Sequence, residues 1–223
     1  MSFFITLIEM TDTNRRELEA IPKMHSMIHH GLTPLEYKAF LNDLYHIVWH
    51  FCPIMATAAS RCDDRFRGVR YELYERIEEE KGHETWVLED LEAVGGDVAA
   101  AVARPPSVPT QAMIGFNYFA AERVHPCSVL GMLYALEVIA SVYAGRVSES
   151  IARAIGRDVD SGGFKFLSSH SSMDMDHVAK LNVLLKTVEE PAAQEAIISS
   201  TRVNFYQFGL VFGEAGFTSQ LSP

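Results

Sequence analysis

Apolar residues recur along this chain at steps of three and four, the period of an amphipathic helix. The longest such run is "LEYKAFLNDLYHIVWHFCPIMATAASR". Its start is marked by Thr33, by Pro34 in the first helical position and by Glu36 three residues after the cap, a capping box. Pro53 falls inside the pattern and predicts a kink. Asp63 and Asp64 mark a break. A helix over 12–30, ending at Gly31, precedes this run. A third helix spans 65–94 and stops at Gly95-Gly96. The loop "RPPSVPT" follows, with three prolines. A fourth helix covers 110–123, Pro126 opens a fifth, Gly162-Gly163 lead into a sixth over 164–188, and Pro191 opens the last, to about 213. No strand-like alternation and no internal repeat interrupts the series. The pattern predicts an all-α bundle of about seven helices, one domain over residues 1–223.

Composition narrows the function. The 223 residues are 48% hydrophobic and 22% charged, an ordinary globular balance, with a formal net charge of -10. An acidic surface argues against nucleic acid and against an anionic membrane, since phosphates call for Lys and Arg. The three cysteines, Cys52, Cys62 and Cys127, are few, scattered and odd in number, which fits a reducing cytoplasm and no disulfide framework. The opening "MSFFITLIEM" has neither a basic leader nor a small-residue cleavage site, so no signal peptide is expected. No apolar run reaches about 18 residues, so no membrane span is expected either.

Polar residues then break the apolar faces in three places. In "HSSMDMDHVAKL", His170, Asp174 and His177 sit at i, i+4 and i+7, on one face of a helix turning about 100° per residue. Glu137 lies in "GMLYALEVIASVYAG", among neighbours that are apolar all round. Such a helix is buried, and an ionised carboxylate there must be paired, neutralised or metal-bound. In "RIEEEKGHETWVLEDLEAVGG", His83 follows Glu80 by three residues and Glu79 by four, so either carboxylate can share its face. The set holds three imidazoles and three carboxylates. Two ferrous ions would leave it near neutrality. Mixed His and carboxylate ligation without Cys suits iron or manganese better than a structural zinc.

At the motifs "EEEKGHETW", "YALE" and "HSSMDMDH", the chain resembles the heme-oxygenase-like diiron oxidases, the iron-containing redox enzymes. Relatives of that fold include the TenA proteins and the cofactor-free pyrroloquinoline-quinone synthase. The resemblance runs from about Leu35 to Leu185. It implies a heme-oxygenase-like fold and, as metal ligands, Glu80, His83, Glu137, His170, Asp174 and His177, with Glu79 the alternative to Glu80. Some members carry a Glu seven residues before the first His; here that position is Arg76. The resemblance further implies two iron ions per chain, the second held more weakly. It also implies O2 as co-substrate, an external electron donor, a homodimer, and oxidation of a small acid or amino-acid-like molecule.

Around this set, Tyr45, His46, Trp49 and His50 on the long helix are candidates for the wall of a substrate cavity. Arg61 and Arg123 are candidates for holding a substrate carboxylate. Two other readings compete. One is a metal-free enzyme of the same fold, either a TenA-like C–N hydrolase with Cys127 as nucleophile or a quinone-synthase-like oxidase. The other is a non-catalytic helical binding protein, for which the six residues need not converge.

Overall fold

Thr33 caps its helix as the sequence predicts. Its hydroxyl accepts from the Glu36 amide at 3.3 Å while its own amide donates to the Glu36 carboxylate at 2.8 Å. The computed structural model describes residues 2–213, apart from the side chains of residues 172–176. Among the described residues it is all helix and turn: α1 (Phe3–Glu19), α2 (Pro22–His30), α3 (Pro34–Arg61), α4 (Arg67–Glu80), α5 (His83–Ala93), α6 (Val98–Ala103), α7 (Val108–Phe119), α8 (Ser128–Ile139), α9 (Gly145–Ala154), α10 (Lys165–Leu185) and α11 (Pro191–Phe212). Two π-helical turns, Ala120–Val124 and Ala140–Ala144, extend α7 and α8.

The all-α class stands, but the predicted helices subdivide. The expected helix over 12–30 is two helices, parted at Ala20-Ile21, and the first begins at Phe3. Pro22 explains the parting, because proline fits a first helical turn and breaks an interior. The expected helix over 65–94 parts at Lys81-Gly82, where Gly82 adopts a positive φ of 91°. α3 runs on through Pro53 to Arg61.

α8 is the axis of the core. Val129, Leu130, Met132, Leu133 and Ala135 are all buried, and α11 and α10 pack against it. Gly131 makes the α8–α11 crossing close: a Cβ there would sit 2.3 Å from the Ile197 carbonyl oxygen. The α8–α9 stretch, Ser128–Ala154, is 27 residues long and apolar enough by length and composition to cross a membrane, which the interruption at Glu137 hides in the sequence. In the fold 67% of its most apolar window is buried inside the protein, as befits a core helix. α3 lies across α4, α5 and α7, and α10 runs past α5, α8 and α9.

Candidate metal centre

Glu80 closes α4 and His83 opens α5. The left-handed Gly82 turns the chain sharply between them, a conformation that glycine adopts without a Cβ penalty. The two side chains therefore meet across a corner, with His83 Nδ1 2.9 Å from Glu80 Oε2. Both are buried.

His170 reaches the same carboxylate from α10. Its Nδ1 lies 2.9 Å from the Phe166 carbonyl oxygen. A carbonyl only accepts, so Nδ1 carries the hydrogen, and in the neutral ring Nε2 is the electron-pair donor. That nitrogen faces Glu80 Oε2 at 3.7 Å. A lone pair facing a carboxylate calls for a cation between them, either a proton or a metal. Ring stacking fixes both imidazoles, His83 on Trp86 and His170 on Phe166, each with centroids 4.0 Å apart. Glu80, His83 and His170 each offer one ligand atom, all within 4.8 Å of one another. Donors around one ion at about 2.1 Å lie about 3–4 Å apart, so a small inward closure would bind it. Burial raises the Glu80 pKa, but its interactions with His170 and His83 outweigh it and hold the carboxyl at about 2.

Asp90 is an organising residue that the sequence reading missed. It sits on α5, 1% exposed, and its two oxygens accept from the amides of Lys165 and Phe166, both at 2.8 Å. It thus caps α10 from the helix that begins with His83, and it fixes Phe166, whose carbonyl orients His170. The signal was present: Asp90 lies among Trp86, Val87 and Leu91, the kind of apolar setting that singled out Glu137.

The other predicted ligands are placed differently. Glu137 is buried, but the Arg76 guanidinium donates to its Oε1 at 2.6 Å. His177 is also buried. Its Nδ1 lies 3.7 Å from Glu80 Oε1 and its Nε2 3.5 Å from Glu79 Oε2. Glu79 in turn pairs with Lys180 at 2.6 Å. Asp174 lies outside the described side chains.

A cavity of about 120 Å³ opens beside the cluster. A single water needs about 10–15 Å³ measured the same way, so the space suits a small organic molecule. Glu80, Glu137 and His170 line one part of it, and most of the rest is apolar, including Met27, Leu136, Val147 and Phe208. The π-helical turn just after Glu137 contributes Ala140, Tyr143 and Ala144.

The expected α3 wall is corrected here. Leu44, Ile47, Val48 and Phe51 line the cavity; Tyr45, His46, Trp49 and His50 do not. At about 100° per residue the first four share a face and the other four lie off it. His50 meets the Tyr118 hydroxyl at 3.0 Å instead, and Trp49 is 48% exposed. Arg61 and Arg123 are exposed, away from the cavity lining.

The solved structures with similar folds agree with this architecture. A domain of unknown function with a heme oxygenase-like fold from Shewanella denitrificans superposes with a TM-score of 0.86, at 20% identity over 97% of this chain and 93% of that one. A TenA homologue from Pseudomonas syringae gives 0.79, at 14% identity over 97% and 92%. Heme oxygenase from Leptospira interrogans gives 0.76, at 17% identity over 96% and 100%. At such identities the likeness shows the fold, which is heme oxygenase-like. No curated protein matches the chain significantly in sequence. The model of one family, described as iron-containing redox enzyme, matches residues 38–205, a span that includes the Glu80, His83 and His170 cluster. That match covers most of the chain, and the chain belongs to the iron-containing redox enzymes.

Proposed function

We propose that this chain is a non-heme iron oxidase or oxygenase that uses O2 to oxidise a small, largely apolar acid or amino-acid-like molecule. Glu80, His83 and His170 are its iron ligands. The observation that carries this reading is the convergence of those three buried side chains, two of which, Glu80 and His170, line an apolar cavity. Iron bound by nitrogen and oxygen donors supplies one-electron redox chemistry and reactivity toward O2.

The chain's own residues prepare that chemistry. The Phe166 carbonyl accepts a hydrogen bond from His170 Nδ1, which aims Nε2 at Glu80. Trp86 and Phe166 hold the two rings in plane-to-plane contact, so little ordering is left for the moment of binding. The apolar walls keep water from the bound molecule and select an apolar body. Glu80, Glu137 and His170 gather the polar part of the lining, so the substrate's polar end lies there. Glu137, Asp174 and His177 are the further donors that the family resemblance offers a second ion.

A C–N hydrolase of the same fold needs an activated nucleophile at the cavity. Cys127 is fully buried and burial pushes its thiol far above the usual range. Burial likewise pushes Cys52 and Cys62 up to about 11. None of the three is in the cavity lining. These thiols are structural rather than nucleophilic.

The test is oxygen uptake. Protein loaded anaerobically with Fe(II) is mixed with O2 and a panel of short acids and amino acids, each carrying an apolar side chain. A panel member that accelerates uptake in the wild type but not in His170→Ala is the expected result. Uptake no faster than that of free Fe(II), for every panel member, would contradict the proposal.

A further inference from the structure

Arg76 is the largest fully buried side chain among the described residues, at 1% exposure. It stands on α4, one turn before Glu80, and its fork spans three elements. Nη1 donates to Glu137 Oε1 on α8 at 2.6 Å, Nη2 to the His177 carbonyl on α10 at 2.9 Å, and Nε approaches Glu72 Oε1 on its own helix at 3.4 Å. A guanidinium does not lose its proton in a protein, so this is a permanent positive charge inside the core.

The Glu137 side of the cavity and the Glu80 side are therefore built for different cations. Around Glu80 the partners are imidazoles, which can give up a proton and accept a metal ion in its place. Beside Glu137 stands a cation that cannot leave. On the far side of His177, Glu79 holds a second basic side chain, Lys180, at 2.6 Å. An additional dication held by Glu137 Oε1 would sit within a few ångströms of the Arg76 guanidinium that donates to the same oxygen. Like charges at that separation, in a buried and weakly screening environment, repel strongly. Among the described side chains, those grouped within 4.8 Å of one another are Glu80, His83 and His170, and His177 Nδ1 approaches Glu80 Oε1 at 3.7 Å.

We propose that the Arg76 guanidinium takes the place of a second metal ion, so that each chain binds one ion, among Glu80, His83 and His170. This rests on the iron-binding reading above and replaces the two-ion expectation with one. Arg76 then keeps Glu137 ionised and pinned at the cavity wall, and it ties α10 to α4 through the His177 carbonyl. Arg76 and Glu137 are positioning residues; the ion is held elsewhere.

The experiment counts metal. Purified full-length protein is titrated anaerobically with Fe(II), desalted and analysed for iron per folded chain. After oxidation its electron paramagnetic resonance is recorded. The expected result is one iron per chain in the wild type, with the signal of an isolated high-spin ferric ion. Glu137→Gln should also keep one iron, and Glu80→Gln should keep none. Arg76→Glu, which exchanges the guanidinium for a carboxylate, should raise the count toward two. Should that variant not fold, the wild-type and Glu137→Gln counts carry the test alone. Two irons per wild-type chain, magnetically coupled and falling to one in Glu137→Gln, would overturn this inference while leaving the iron-enzyme reading intact. No iron in the wild type would overturn both.

Discussion

Glu80 and Glu137 are both buried glutamates and both line the same cavity, Glu80 at the end of a polar helix and Glu137 within an apolar one. Their surroundings differ in one chemical respect. Glu80 sits between two imidazoles, bases whose protons a metal can displace. Glu137 faces a guanidinium, whose charge is fixed. A buried carboxylate is therefore not in itself a sign of a metal ligand. The partner that neutralises it decides whether the site is exchangeable or structural.

Substitutions separate the two glutamates. The largest effect is expected from Glu80→Gln, which keeps the shape and removes the charge. Iron affinity should fall by more than about 100-fold, the upper range for losing even an indirect support of a ligand. Oxygen uptake should drop to background, with the helical circular dichroism unchanged. Retained iron binding would show that the cluster is not the metal site.

Next comes Arg76→Met. Losing the guanidinium that faces Glu137 at 2.6 Å should cost about 3–5 kcal/mol, read by calorimetry. The double variant Arg76→Met with Glu137→Met should recover much of that loss, because it leaves no buried charge behind. A double variant as unstable as the single one would mean that Arg76 acts chiefly through the His177 carbonyl.

The acid limb of stability reports on Glu80. Its pKa is lowered from 4.5 to about 2 in the folded metal-free protein. A depressed carboxylate contributes stability above its unfolded pKa and loses it as pH falls through the folded value. The window is therefore about pH 4.5 down to about 2, and the contribution is on the order of 3 kcal/mol. Wild type and Glu80→Gln should converge in denaturation midpoint across that window. Parallel curves would remove the imidazole pairing from the account.

Smaller still is Asp90→Ala. Losing a buried cap on two backbone amides should cost about 2 kcal/mol. Because Phe166 orients His170, iron affinity should also fall by about tenfold. An unchanged affinity with lowered stability would limit Asp90 to a capping role.

These residues were unequally legible in the sequence. The helical period gives the fold class and most of the helices, because each helix buries one stripe. Glu137 and His170 stood out as polar residues on apolar faces. The corner at Gly82 did not, since the apolar period continues across it from Leu73 through Val87, and a lone glycine is compatible with a helix. The period alone therefore made Glu80 and His83 neighbours on one helix, whereas the structure joins them across a turn. Arg76 was visible only as a departure from a resembled motif. Its meeting with Glu137 joins residues 61 apart in the chain, and no local pattern encodes it. The α3 wall was misread because four aromatic and imidazole side chains drew attention to one face, while apolar burial selects the face of Leu44, Ile47, Val48 and Phe51.

The most direct test is the anomalous difference density at the iron edge from a crystal loaded with Fe(II) under anaerobic conditions. One peak is expected, bounded by Glu80, His83 and His170, with Arg76 still bonded to Glu137. A strong peak between Glu137 and His177 with Arg76 displaced, or no peak at the Glu80 cluster, would contradict it.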